Sequence, residues 1–149
     1  MTADVLAGNS GDREAVWTSR AMGWDNGDLT GTFIEISLEE QKLWFYRDGV
    51  LTAEADIVSG SGGTKDTPTG KGVYSVDAKE LLSEDTEKNS SRWRITFNGS
   101  QGLTDAPWRK LFGRRIYRSN GTDGSIEIPS DIMQILYDAV ETGTAVVIY

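Results

Sequence analysis

The sequence predicts a mainly β fold with one helix near residues 129–142. Residues 32–38 alternate apolar and polar side chains with the period of two that a half-buried strand requires. A second run rich in β-forming residues covers 42–47. The nearly continuous apolar run at 145–149 is typical of a buried central strand. Together these segments favour a strand-dominated domain.

The remaining strands are predicted between turn signals. The Gly-containing segment 47–50 is typical of a turn between adjacent strands, and residues 50–59 extend a third strand. Residues 59–72 are rich in Gly, Ser, Thr and Pro, which predicts a loop. We expect further strands at residues 72–76 and 92–97, where apolar and polar side chains again alternate.

The predicted helix has one apolar face and plausible end signals. Ser130 is a candidate N-cap, and Gly143 suits the position just after a helix. Helical spacing puts four apolar side chains on one face: Ile132, Leu136, Ala139 and Val140.

Length and composition indicate one globular domain. A chain of 149 residues with 38% hydrophobic residues, including five Trp and five Tyr, can fill a core. Residues 1–15 are small, polar and aperiodic, so we expect a flexible lead-in there and the domain over residues 16–149.

Charge and residue usage exclude several functions. A net charge of −8 argues against nucleic-acid binding, which requires a basic surface. No run reaches the roughly 18–20 apolar residues of a membrane span, so we expect no membrane insertion within this chain. With no His and no Cys, a zinc site is not expected, and we predict neither a metal nor a cofactor.

Two motifs resemble those of a known family. Residues 102–109 read GLTDAPWR, and residues 121–129 read GTDGSIEIP. They are similar to the Gly-Ile-His-Asp-Ala-x-Trp-Arg and Gly-Ser-His-Gly-Cys-Ile-Asn-x-Pro motifs of the L,D-transpeptidase (YkuD-type) cell-wall enzymes. The resemblance covers roughly residues 16–149, is weak at 79–100, and implies a YkuD-like β-sandwich. Further matching segments are 33–49, 56–60, 67–70, 112–117 and 143–149.

The reactive positions of these motifs are substituted. Thr104 and Asp123 occupy the two histidine positions, and Ser125 occupies the cysteine position. The separation 125 − 104 = 21 equals that of the family's base and nucleophile, which supports the correspondence. A single laboratory cysteine-to-serine change would not explain Thr104, Asp123 and Glu127 together.

The family reaction requires groups that these residues do not supply. A cysteine thiolate, formed beside a histidine, attacks the carbonyl of a diamino acid in a peptidoglycan stem peptide and expels the terminal D-residue. An amine from a neighbouring stem then takes the acyl group and releases the thiolate. Backbone N–H groups around the Gly-Cys turn, here at Gly124, can stabilise the oxyanion. Thr104 cannot accept a proton near pH 7, and the Ser125 hydroxyl is a poorer nucleophile than a thiolate.

A carboxylate is the remaining candidate base. Residues two apart on an extended segment point to the same face, so Asp123 could approach Ser125. With an ordinary pKa of about 3.9, however, Asp is a weak base for an alcohol. We therefore favour an inactive site in which Ser125 and Asp123 are polar turn residues. A Ser125–Asp123 or Ser125–Asp105 enzyme is the alternative.

The resemblance also implies candidate substrate-binding residues: Trp108, Gly124, Asp105 and Arg109. Trp108 could stack on a ligand or pack in the core. Arg109 belongs to a basic cluster between the motifs, which could attract carboxylates or be a solvated surface.

These observations predict a catalytically inactive L,D-transpeptidase-like domain that binds peptidoglycan stem peptides or a cell-wall protein. One alternative is a residual acyl-transfer or hydrolytic enzyme of peptidoglycan that uses Ser125. Another is a structural module of a cell-surface protein that binds no ligand. The resemblance implies an extracytoplasmic location on the cell-wall side, in a portion excised from a longer membrane-anchored bacterial protein.

Overall fold

A computed structural model describes residues 31–60, 69–83, 90–99 and 101–149. The predicted lead-in at 1–15 and the Thr-Pro pair of the 67–70 segment lie outside these residues. The described chain forms nine strands and two helices. In order they are β1 (Phe33–Ser37), β2 (Lys42–Arg47), β3 (Val50–Asp56), β4 (Gly72–Ser75), β5 (Ala78–Leu81), β6 (Trp93–Asn98), β7 (Gln101–Asp105), α1 (Ile116–Asn120), β8 (Ile126–Ile128), α2 (Ser130–Ala139) and β9 (Ala145–Ile148).

The strands form two sheets, which confirms the predicted mainly β fold. The five-stranded sheet has the order β3-β2-β1-β9-β4, with the apolar strand β9 parallel to β1 near its centre. The four-stranded sheet has the order β5-β6-β7-β8, with β8 parallel to β7. The first motif includes most of β7 and the second includes β8. Because these two strands pair, the motifs lie side by side.

The main core lies between the two sheets and includes helix α2. Period-two alternation directs Ile34 and Ile36 of β1, and Ile95 of β6, into this core. Helix α2 adds Ile132, Met133 and Leu136 from its apolar face. Neither helix in the described ranges has the length and apolar character that crossing a bilayer requires.

A second apolar cluster covers the other face of the five-stranded sheet. Phe33 and Tyr46 stack there with ring centroids 4.9 Å apart. Trp44 is 4% exposed in this cluster, and its Nε1 donates a hydrogen bond to Glu54 Oε2 at 3.0 Å. Trp44 is therefore a packing residue.

Two details of the predicted helix are wrong. Pro129 occupies the N-cap position and Ser130 is the first helical residue, so Ser130 is not the N-cap. Its hydroxyl instead donates to Asp105 Oδ2 at 3.1 Å. The helix ends at Ala139, earlier than predicted, and Gly143 lies beyond it in a turn with a positive φ of 95°.

Candidate functional site

A polar groove of about 560 Å³ lies on the outer face of the four-stranded sheet. Trp93 and Ile95 of β6 point into the core, so the intervening Arg94 points to the opposite face. Strand pairing continues this outer row across the sheet, from Glu80 to Arg94, then to Thr104 and Glu127. The groove is lined by Glu80, Ser91, Arg94, Thr96, Gly99, Thr104, Asp123, Ser125 and Glu127.

All three positions that correspond to the family's reactive residues line this groove. Thr104 lies deep in it with 7% exposure, flanked by Arg94 on one strand and Glu127 on the other. Ser125 is half-buried just before β8, and Asp123 is exposed. The structure thus brings Thr104 and Ser125, which are 21 positions apart in the sequence, to the same groove.

The Ser125 hydroxyl has no hydrogen-bond partner within the described part of the chain, and neither has that of Thr104. A serine nucleophile normally donates its proton to an adjacent base. Among the same residues, no group of three or more carboxylate, His or Cys side chains gathers as a metal site would require.

The loop before Ser125 is fixed by its own hydrogen bonds. Thr122 is 6% exposed, and its hydroxyl donates to the Ser125 carbonyl while accepting the Gly124 N–H at 3.1 Å. Gly124 has a φ of 116°, a region that favours glycine. Because the Gly124 N–H is directed at Thr122, it is committed to the loop and not to a ligand in the groove.

A neighbouring segment attaches this loop to the five-stranded sheet. Val58 exchanges two backbone hydrogen bonds of 2.9 Å with Glu127, and Ser59 O accepts the Thr122 N–H at 3.1 Å. Thr69 Oγ1 accepts the Gly60 N–H at 3.0 Å and donates to the Gly124 carbonyl at 2.8 Å. The loop that carries Ser125 is therefore held by backbone hydrogen bonds to Val58 and Ser59 and by the hydroxyl of Thr69.

Gly121 permits the close approach that this arrangement requires. Its φ is −79°, so its conformation is ordinary. A Cβ built at this position would lie 2.4 Å from the Tyr117 carbonyl oxygen and 3.0 Å from that of Ser59. Both neighbours are backbone atoms, so a larger residue would displace the loop.

Arg109 forms an internal ion pair. Its Nε lies 2.6 Å from Glu127 Oε1, and its Nη2 donates to the Asn120 carbonyl at 2.9 Å. The two side chains are only 8% and 16% exposed. The guanidinium that the sequence suggested for carboxylate binding is therefore already matched by the charge of Glu127.

Asp105, also predicted to bind substrate, is completely buried, and its carboxylate accepts hydrogen bonds from the backbone. Its Oδ1 accepts the N–H groups of Arg92 and Trp93 at 2.8 and 3.0 Å, and Oδ2 accepts the Ser130 hydroxyl. These bonds connect the start of β6 to the start of α2. Asp105 is not among the described residues that line the groove.

Trp108 is 42% exposed and also lies outside the set of described residues that line the groove. Five residues that do line it were not predicted from the sequence: Glu80, Ser91, Arg94, Thr96 and Gly99. The signal for two of them was present, because the alternation at 92–97 already assigns Arg94 and Thr96 to one face. Nothing in the sequence showed that this face would meet Ser125.

Comparison with known proteins identifies the family. The family model described as the L,D-transpeptidase catalytic domain (YkuD) matches residues 31–148. The chain belongs to this family. A search of curated proteins found no match.

Solved structures of L,D-transpeptidases share the fold of this family member. A cysteine-to-serine variant of the Enterococcus faecium enzyme is 30% identical with a TM-score of 0.67, over 79% of this chain and 49% of that one. The catalytic domain of the E. faecium enzyme acylated by ertapenem is 31% identical with a TM-score of 0.66, over 79% and 96%. A Mycobacterium tuberculosis L,D-transpeptidase, at 18% identity, has the same fold with a TM-score of 0.63, over 79% and 57%. The chain thus spans about half the length of the first of these structures.

Proposed function

We propose that this domain is a catalytically inactive L,D-transpeptidase that binds peptidoglycan stem peptides, or a cell-wall protein, through the groove around Thr104 and Ser125. The observation that carries the proposal is the isolation of the Ser125 hydroxyl, which has no partner within the described residues. Without a base, an alcohol is too weak a nucleophile for acyl transfer near neutral pH.

The groove itself supports a binding role. It remains open, with polar and charged side chains from four strands and from the Ser125 loop. The Gly124 N–H is bonded within the loop, which removes a candidate donor for an oxyanion. The reactive groups are missing but the polar groove is open. This combination favours ligand binding over catalysis.

Acylation by a β-lactam tests this proposal. Ertapenem acylates the E. faecium catalytic domain, whereas we expect the intact mass of this protein to stay unchanged after prolonged incubation. Purified stem peptides should likewise yield no exchanged or cross-linked product by mass spectrometry. The same peptides should perturb NMR signals of residues that line the groove. Robust turnover that Ser125→Ala abolishes would refute the proposal.

The second candidate is a slow acyl-transfer or hydrolytic enzyme that uses Ser125. The observation in its favour is that Asp123 lines the same groove and precedes Ser125 by two residues. A fluorophosphonate probe would label Ser125 in such an enzyme, and Asp123→Asn would suppress the labelling. An unlabelled protein that still binds stem peptide supports the inactive domain.

We further propose that the domain acts on the extracytoplasmic, cell-wall side, as part of a longer anchored protein. Membership of a family of cell-wall enzymes supports this location. Co-sedimentation of the purified domain with sacculi is the expected result. Failure to sediment, together with no NMR response to stem peptide, would instead indicate a structural module without a ligand.

A further inference from the structure

The segment between the two motifs concentrates positive charge on an acidic protein. Residues 106–122 contain no Asp or Glu, whereas the whole chain carries 23 acidic residues against 15 Lys and Arg. We call residues 108–118 the basic segment. Its exposed cationic side chains are Lys110, Arg114, Arg115 and Arg118. The local surface is therefore opposite in sign to the net charge of −8.

The exposed cations are not neutralised within the described part of the chain, where none of the four forms an ion pair. Two carboxylates close to the basic segment already have partners. Glu127 pairs with Arg109. Asp56, whose Cβ lies 2.9 Å from the place that a Cβ on Gly113 would occupy, pairs with Lys42 at 3.0 Å. The positive charge of the segment is therefore available to an anionic partner.

The basic segment also exposes large apolar side chains. Leu111 is 73% exposed and Trp108 is 42% exposed. A single exposed Leu is ordinary on a protein surface, so the informative feature is its place beside Trp108 and among four cations. Trp combines an apolar ring with a polar N–H, which suits a boundary between water and an apolar layer. Charge and apolar surface thus occur together on one short stretch.

Backbone contacts hold the basic segment in a defined turn. The Gly113 N–H donates to the Ile57 carbonyl at 2.8 Å, which ties the middle of the segment to the end of β3. Gly113 and Arg114 have positive φ values of 86° and 56°, so the chain turns sharply between Leu111 and Arg115. The apolar and cationic groups therefore extend from one anchored turn.

We propose that the basic segment docks the domain on the surface of an anionic lipid bilayer. The cations contact lipid phosphates, while Leu111 and Trp108 enter the boundary between headgroups and acyl chains. A soluble anionic polymer would match the charges but has no apolar layer to receive Leu111, which favours lipid as the partner. This peripheral contact goes beyond the proposed function and does not depend on ligand binding in the groove.

Co-sedimentation of the whole chain with vesicles tests the proposal. We expect binding to vesicles made of phosphatidylglycerol and phosphatidylcholine in equal parts, and roughly tenfold weaker binding to phosphatidylcholine alone. Raising the salt concentration should weaken binding to the anionic vesicles, because salt screens the contacts with phosphate. Absence of binding to the anionic vesicles at low salt would overturn the proposal.

Variants separate the two contributions to docking. Arg114→Gln combined with Arg115→Gln should weaken vesicle binding roughly 25-fold, since each cation near an anionic bilayer contributes about fivefold. Arg114→Lys combined with Arg115→Lys retains the charge and should bind like the parent. Leu111→Ser should weaken binding roughly fivefold, because it removes apolar surface that the bilayer would bury. Full binding by the double Gln variant would show that the basic segment is not the docking surface.

Arg47→Gln and Val50→Ser are the matched controls. Both residues are exposed at the β2–β3 turn. The pairing of Lys42 with Asp56 marks the other end of this hairpin, beside Gly113, so the controls lie roughly 17 Å from the basic segment. Neither control should change vesicle binding. Losses equal to those of the segment variants would contradict docking through the basic segment.

Lipid-free polyphosphate separates a bilayer from an anionic polymer as the partner. If polyphosphate binds as tightly as the anionic vesicles, and Leu111→Ser weakens neither, the partner is an anionic polymer and the proposal is wrong. If the vesicles bind as expected but stem peptide and sacculi do not, the bilayer contact stands and the proposed function is wrong.

Discussion

Arg109 Nε lies 2.6 Å from Glu127 Oε1, and this pair joins the two motifs of the domain through side chains that are almost buried. In the family motif the position of Glu127 carries Asn. The acidic residue here supplies a charge that matches the guanidinium. Arg109, a candidate contact for a ligand, is therefore paired with Glu127 inside the protein.

Glu127→Gln should reduce the free energy of unfolding by roughly 1–3 kcal/mol, because the poorly solvated Arg109 would lose its charged partner. Urea denaturation measures the loss. The control is Lys42→Gln, which removes the exposed ion pair between Lys42 and Asp56 (3.0 Å, side chains 42% and 48% exposed) and should cost less than about 1 kcal/mol. Equal losses in the two variants would contradict the importance given to the Arg109–Glu127 pair.

Asp105→Asn should destabilise the domain by roughly 1–3 kcal/mol, since an amide cannot replace both acceptor oxygens of a fully buried carboxylate. Ser130→Ala removes one of the three bonds and should cost about 1 kcal/mol. Thermal or urea unfolding gives both values. At a temperature where both variants are folded, their affinity for stem peptide should match that of the parent. A selective loss of affinity in Asp105→Asn would instead place Asp105 in the binding site.

Gly121→Ala should destabilise the Ser125 loop by roughly 1–3 kcal/mol, because its Cβ would lie 2.4 Å from a backbone oxygen. Gly99→Ala is the comparison. Gly99 has open space around it, so only its positive φ of 59° opposes the substitution, at about 1 kcal/mol. Hydrogen exchange should show faster exchange at the Thr122 and Gly124 amides in Gly121→Ala alone. Unchanged exchange at both amides would show that the loop adapts without cost.

Ser125→Cys should give a thiol that reacts with iodoacetamide at pH 7 more slowly than free cysteine. Nearby carboxylates disfavour a thiolate, and Asp123 lines the same groove. Adding Asp123→Asn should increase the rate severalfold, whereas adding Asp138→Asn should not. Alkylation of the single variant faster than free cysteine would reveal an activating group that the described residues do not show.

Adding Thr104→His and Asp123→His to Ser125→Cys should allow ertapenem acylation, detected by intact mass, because the Thr104 and Ser125 positions already share one groove. Ser125→Cys alone should remain largely unmodified over the same period. If the triple variant folds and still resists acylation, the backbone of the Ser125 loop, including the bonded Gly124 N–H, is the next feature to change.

The sequence predicted the strands that carry a clear periodic pattern and missed those that do not. Strands β1 and β2 alternate or are rich in β-forming residues, and β9 is apolar throughout. Strand β5 reads Ala-Lys-Glu-Leu, with every residue at least partly exposed, so its pairing with β6 decides its structure. Strand β8 has three residues and α1 has five, too few for a periodic pattern.

The candidate site was predictable only as far as the motifs extended. The motifs located Thr104, Asp123 and Ser125, which the structure places around one groove. The pairing of Arg94 with Thr104 depends on β6–β7 register, in a region where the resemblance to the family is weak. The ion pair likewise depends on the close approach of Arg109 and Glu127 in the fold, which their spacing in the sequence does not predict.

The attachment of the Ser125 loop through Val58, Ser59 and Gly60 has a practical consequence for protein engineering. Because main-chain atoms carry most of that attachment, outward-facing side chains other than Glu127, which pairs with Arg109, can be exchanged in libraries with little risk to the framework. The domain thus offers a rigid frame on which new recognition surfaces can be selected.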